Sequence, residues 1–315
     1  MPFWIQQDLR ISVWVLLPIA CGILLRRSGV PKSAARGFFG FAFYGCQTSV
    51  TVCALWIARV HAEARSLPAL ALAGWLGTAA LAWAVTRKTA TDSKRRGAFI
   101  LSMAMSNNGF TLLGFVSLAL FGEAGLAQAT YAQLLYTPFF LLCCFPIARL
   151  FGSAQKPQSL GALLLDNAKD PRVWLPLLAV FVGLGLNLAQ VPRPALVTPL
   201  TRLFIYAGTA SSGAAIGLLF SGFHFRRYAR ENALSFLHRS TLYPLFYWAA
   251  ARLCGLHPLD ATILVLYGLV PSALLANLLA VFFDLDTDLT SSVFLVSTVL
   301  FLVLVLPVFL VLARP

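Results

Sequence analysis

Apolar residues run in ten long stretches along the chain, near 8–25, 36–58, 67–86, 98–121, 127–151, 172–190, 196–221, 233–254, 259–283 and 289–312. A run of about 20 such residues matches the hydrocarbon thickness of a bilayer, so the pattern predicts ten transmembrane helices. The first has Arg10 ahead of it and Leu24-Leu25-Arg26-Arg27 behind it, with no small-residue cleavage site. It is expected to be a retained helix and not a removed signal peptide. The fourth stands apart, because Ser106-Asn107-Asn108-Gly109 interrupts it at its centre. Two side-chain amides and a helix-weakening glycine at hydrocarbon depth are costly unless they face protein, water or a ligand. The stretch therefore reads as a broken helix lining a site.

Composition agrees with that class. The 315 residues are 59% hydrophobic and only 11% charged, with a mean hydropathy of +0.81, whereas a globular domain carries about 25% charged residues. This excludes a soluble domain and predicts an all-α, multi-pass membrane protein whose surroundings are the lipid bilayer. The formal charge of +13 invites a nucleic-acid reading, which the positions of the 24 basic residues answer. Arg26, Arg27, Lys32 and Arg36 follow span one, and Arg87, Lys88, Lys94, Arg95 and Arg96 follow span three. Arg149, Lys156, Lys169 and Arg172 follow span five, and Arg226, Arg227, Arg230 and Arg239 follow span seven. Seventeen thus fall on one side and seven on the other, the positive-inside bias of a cytoplasmic-membrane protein with both termini outside the cytoplasm. No nucleic-acid partner is expected. An anionic-lipid patch at Arg226 to Arg230 is a weaker alternative. All six cysteines lie within or at the ends of apolar spans, and the four histidines (His61, His224, His238, His257) sit near span ends, where a solvated or interfacial role is expected. No metal, cofactor or disulfide framework is implied.

A second regularity divides the chain. Leu17-Pro18-Ile19 in span one leads through Gly22 to Val30-Pro31, and Leu175-Pro176-Leu177 in span six leads through Gly183 and Gly185 to Val191-Pro192. Span four then corresponds in order to span nine, which holds Tyr267-Gly268-Leu269-Val270-Pro271-Ser272 and, five residues on, Asn277. Five spans is an odd number, so the second half enters the membrane from the opposite side, the geometry of an inverted repeat. The predicted organisation is a first five-helix repeat over 1–151, a short cytoplasmic linker over 152–171 and a second repeat over 172–315.

In three places these residues resemble the auxin efflux carrier family, which includes bacterial malate and malonate permeases. The first is Asn107-Asn108-Gly109-Phe110 followed by Leu120-Phe121-Gly122-Glu123-Ala124-Gly125-Leu126. The second is Val191-Pro192 before the small-residue stretch Ala207 to Gly217, and the third is Val270-Pro271 followed by Ala280, Asp286 and Ser291-Ser292 into Leu306-Pro307. The resemblance covers essentially the whole chain. It implies a ten-helix, two-repeat carrier in which spans four and nine are broken and cross near the midplane. It also implies a transport half of spans three to five and eight to ten that moves against spans one, two, six and seven. One departure is plain: the family's crossover proline in span four is replaced by Gly114.

The chemistry expected at such a crossing follows from what the spans contain. All eleven carboxylates fall in loops or at span ends, so a cation/proton antiporter built on an intramembrane acid is not expected. Coupling is expected to use the membrane potential or an ion held by backbone carbonyls and hydroxyls. Broken helix ends expose N–H groups and a partial positive charge that suit an anion, and Asn107, Asn108 and Asn277 add amide donors. The expected cargo is a small organic anion such as a carboxylate. The candidate substrate-binding residues are Asn107, Asn108, Gly109 and Gly114 in span four with Pro271, Ser272 and Asn277 in span nine. Against this stands a reading in which the asparagines only hold helices together, at about 1 kcal/mol each. Gln47, Thr48, Ser49, Thr209, Ser211 and Ser212 are weaker candidates, with packing the expected role, and Tyr131, Gln133 and Tyr136 are candidates to face the cavity from span five. Asp284, Asp286 and Asp288 alternate as in a calcium loop, but the glycine and distal glutamate of that loop are missing, and a solvated turn is expected. No span holds paired carboxylates, a nucleophile with its base or a metal set, which disfavours an intramembrane enzyme. A non-transporting sensor or assembly protein on a carrier fold stays open, as does homodimerisation.

Overall fold

The computed structural model describes residues 3–60, 63–89, 92–152, 171–219 and 225–312. Its helices are α1 (Phe3–Arg27), α2 (Lys32–Leu55), α3 (Leu67–Thr89), α4 (Ser93–Ala104), α5 (Phe110–Phe151), α6 (Pro171–Leu188), α7 (Val197–Leu219), α8 (229–253), α9 (Pro258–Leu269), α10 (Leu274–Phe282) and α11 (Thr287–Leu312). Among the described residues there is no strand, only an isolated antiparallel bridge between Ser106 and Ser272.

Five described helical stretches are long and apolar enough to cross a membrane: Ile5–Arg27, Lys32–Leu55, Ala64–Arg87, Phe110–Phe151 and Thr287–Leu312. Trp174–Leu188 and Pro258–Leu269 are shorter apolar helices. At 42 residues, α5 is about twice the length one crossing needs. Gly122 divides it, with φ 64° and ψ −157°, a left-handed conformation that a residue without Cβ adopts cheaply. Local chemistry fixes other boundaries. The Asp92 side chain accepts a hydrogen bond from the Lys94 N–H at 3.1 Å and starts α4, and Asp286 does the same for the Leu289 N–H at 2.9 Å to start α11. Pro18 lies inside α1 and Pro176 inside α6.

The chain forms two compact units, each drawing on both sequence halves. One comprises Met1–Val60, Asn108–Tyr131 and Asp166–Gly222, and so contains α1, α2, the beginning of α5, α6 and α7. Within it α1 and α7 approach closely at Gly22 and Gly217. The other comprises His61–Asn107, Ala132–Leu165 and Phe223–Pro315, and contains α3, α4, the rest of α5 and α8 to α11. Its core is aromatic. Trp75 is fully buried and meets the Tyr136 ring edge-on at 5.2 Å, and Tyr247 donates to the Ala71 carbonyl at 3.1 Å. Of the expected cytoplasmic linker at 152–171, all but Gly152 and Pro171 lies outside the described residues. Large apolar side chains such as Phe181, Leu245 and Val303 are exposed, as suits a surface that meets lipid.

Candidate functional site

Both helix breaks fall where the sequence places them, and their extended segments pair with each other. Met105 leaves α4 with φ −97° and ψ 113°. Val270 leaves α9 at φ −62° and ψ 146°, the extended conformation that a following proline favours. The Asn107 N–H then donates to the Pro271 carbonyl at 2.8 Å and the Ala273 N–H to the Met105 carbonyl at 2.9 Å. Ser272 is fully buried. Its hydroxyl donates to the Ser102 carbonyl at 2.7 Å and its N–H to Ser297 Oγ at 3.1 Å. The pairing satisfies backbone groups that neither helix can satisfy at its end.

Beneath the pairing lies a charge that the positive-inside pattern assigns to a loop. Arg239, on the π-turn His238–Leu242 within α8, is 3% exposed. One terminal nitrogen donates to Ser106 Oγ at 2.5 Å and to the Val270 carbonyl at 3.0 Å. The other donates to the carbonyls of Ser102, Met103 and Met105 at 3.0, 2.9 and 3.2 Å. The guanidinium thus caps the C-terminal ends of α4 and α9 together, where carbonyls lack helical partners and the dipole is negative. Counting charges by loop missed this, although Arg239 already lay inside the apolar span at 233–254, where an ionisable residue marks a functional position by default. His238 is a second correction. Expected at a solvated end, it is buried, with Nε2 3.2 Å from Thr78 Oγ1 and its ring stacked on Tyr243 at 5.1 Å. Both residues open that π-turn, where the helical register changes.

The other predicted residues are placed as follows. Asn107 is half-buried within the pairing, next to Pro271 and Ser272 in the same unit. Asn277, in the first turns of α10, is half-buried and accepts a hydrogen bond from Ser291 Oγ at 3.3 Å. Asn108 is 1% exposed and begins the segment assigned to the other unit, with Gly109 and Gly114 following. Gly109 is extended (φ −62°, ψ 174°), and its carbonyl accepts from the Gly114 N–H at 3.1 Å to close the π-turn Phe110–Gly114 that restarts the helix. Gly114 therefore lies inside resumed helix, and the break precedes it. Among the weaker candidates, Ser49 bonds the Gly45 carbonyl of its own helix at 3.0 Å and Ser211 bonds the Phe38 carbonyl at 2.9 Å, both packing roles. The Asp284–Asp288 turn binds protein groups: Asp286 takes the Tyr228 hydroxyl at 2.8 Å and Asp284 the Lys94 ammonium at 2.5 Å.

A separate polar clamp sits at the Gly122 break, between the fourth and fifth apolar stretches. Arg193 holds Glu123 through two hydrogen bonds of 3.0 and 2.9 Å, and Thr198 donates to the same carboxylate at 2.9 Å. Burial opposes ionisation of Glu123, but these hydrogen bonds and the charges of Arg193 and Arg202 prevail and hold its carboxyl below the ordinary range. A carboxylate with a lowered folded pKa contributes stability that is present above its unfolded pKa and is lost as pH falls through the folded one. Between about pH 5 and pH 3 the thermal midpoint of the wild type is expected to fall more steeply than that of Glu123→Gln. Parallel slopes would mean that the clamp contributes nothing.

Apolar helices with two breaks paired at their centres have the architecture of a membrane transporter. A family model described as membrane transport protein matches residues 58–310, and the chain belongs to that family, the auxin efflux carriers. It is 31% identical over 236 residues to an uncharacterized transporter of Methanothermobacter thermautotrophicus, covering 72% of this chain and 71% of the relative. It is 26% identical over 220 residues to an uncharacterized transporter of Methanocaldococcus jannaschii, covering 68% of each.

Proposed function

We propose that the protein is a secondary carrier that moves a small organic anion, such as a carboxylate, across the cytoplasmic membrane by alternating access. Ten transmembrane helices form two inverted five-helix repeats in this reading. The observation that carries it is the polarity of the paired break. At the C-terminal ends of α4 and α9, carbonyls are met by Arg239 and by Ser272. The helix that follows the second break, α10, begins behind Ala273, whose side chain does not cap it. Such a helix start offers N–H groups and the positive dipole end, which suit a carboxylate, and the half-buried Asn107 lies on the pairing itself.

The corresponding prolines of α1 and α6 and the corresponding breaks support the repeat. With Arg239 removed from the count, sixteen basic residues still flank one side against seven, which supports both termini outside the cytoplasm. A tag after Pro315 is then expected to be accessible from outside and a cysteine introduced at Gln158 not to be. Opposite labelling would overturn the orientation and the inverted repeat with it. The function is tested by counterflow of radiolabelled mono- and dicarboxylates in proteoliposomes, where accelerated exchange is expected. No exchange with any of them would favour a sensor or assembly role on the same fold.

A further inference from the structure

The groups around Arg239 are the kind that carriers with discontinuous helices use for a coupling cation. Unwound carbonyls and half-helix C-terminal ends bind Na⁺ or H⁺ at such breaks, because they combine unpaired oxygen atoms with the negative end of a dipole. Here four carbonyl oxygens, from Ser102, Met103, Met105 and Val270, and one hydroxyl, from Ser106, converge on a single guanidinium within 2.5 to 3.2 Å. The set is hard, neutral and all oxygen, which is also the donor chemistry of an alkali-metal site. None of the five is a carboxylate, so the protein groups contacting the guanidinium provide dipoles and no countercharge.

We propose that Arg239 is a tethered stand-in for the coupling cation: its guanidinium permanently fills the carbonyl cage at the paired break, so that anion binding requires neither Na⁺ nor K⁺. The consequence follows from electrostatics. A buried cation balanced only by dipoles favours an anion nearby, and an exchangeable ion cannot enter a cage whose acceptors are already engaged. Arg239 is then a positioning residue that acts through the backbone of the break and through its charge. The proposal rests on the carrier reading for its meaning in transport, but cation occupancy of the cage is measurable without substrate.

The competing role is a neutral brace, in which only the hydrogen bonds count. Thermal midpoints of the purified wild type, Arg239→Ala, Arg239→Lys and Arg239→Gln would be measured without substrate, in NaCl, in KCl, in choline chloride and in choline chloride with millimolar guanidinium, at constant ionic strength. Expected are a wild type indifferent to the cation and an Arg239→Ala protein that is less stable in choline and recovers roughly 5 °C or more in guanidinium or Na⁺. Arg239→Lys should be more stable than Arg239→Gln, because it restores charge with fewer donors. Should the alanine variant not fold, this Lys-over-Gln order and the cation-indifference of the wild type decide the matter. A wild type stabilised by Na⁺ over choline, an alanine variant indifferent to both small cations, or Gln matching Lys would each overturn the proposal. In proteoliposomes, anion exchange at equal rates in NaCl and choline chloride is expected. If no exchange occurs with any anion while the alanine variant is rescued, the carrier reading fails and the tethered cation stands.

Discussion

Asn107→Ala and Asn108→Leu are expected to give folded, membrane-inserted protein that has lost substrate binding. The pairing of the two breaks runs through backbone atoms, the Asn107 N–H to the Pro271 carbonyl and the Ala273 N–H to the Met105 carbonyl, so trimming the Asn107 side chain leaves it intact. Asn108 is buried, and leucine is close to it in size. If the amides only join helices, each substitution costs about 0.6–2 kcal/mol of stability and nothing specific to substrate. If they donate to a carboxylate, removing one donor costs about 1.5–3 kcal/mol of binding, a loss of roughly 10- to 150-fold. Thermal stability with and without substrate, read on the same purified variants, separates the two. Normal substrate-induced shifts in both variants would end the site assignment, as would loss of folding and binding together.

What the sequence displayed was the part of the fold that lipid dictates. Apolar length placed the described helices to within a few residues, because each span must satisfy its own backbone groups inside hydrocarbon. Ser106 to Gly109 and Val270 to Ser272 were legible as breaks for the same reason: amides, glycine and proline at such depth weaken the helix and leave polar groups that lipid cannot satisfy. The contents of the break were not legible. Arg239 follows Arg226, Arg227 and Arg230 in the chain and a count of charges by loop absorbed it, while His238 was read as a residue at a span end. Both open the π-turn at His238–Leu242, and a π-turn leaves no composition signal that periodicity can read. The carbonyls that Arg239 engages are equally silent in a sequence, since every residue has one. Glu123 and Arg193 were visible as residues but not as a pair, because 70 positions of chain separate them. The two compact units were foreshadowed by the expected partition of spans one, two, six and seven from the rest. Residues 108–131 group with those spans, which the family partition assigns to the other half.

Gly217→Leu is expected to abolish recovery of folded protein. A Cβ on Gly217 would stand inside van der Waals contact with the Ile19 carbonyl oxygen and 2.7 Å from both Gly22 Cα and Ile23 N. From the other side, a Cβ on Gly22 would overlap the Ala214 carbonyl oxygen and lie 2.8 Å from Gly217 Cα. All of these are backbone atoms, so no rotamer change relieves the overlap and α1 must separate from α7. Overpacking costs about 1–3 kcal/mol where side chains can move aside, and here none can. Lipid does not compensate, because acyl chains are as apolar as leucine and helix association depends on close packing of small residues. The matched control is Gly185→Leu on α6, where a Cβ meets nothing within 4 Å and no loss is expected. Gel filtration and a melting curve in detergent suffice to compare them. A monodisperse Gly217→Leu protein melting within about 2 °C of wild type would show that α1 and α7 do not pack as closely in the membrane as their glycines require.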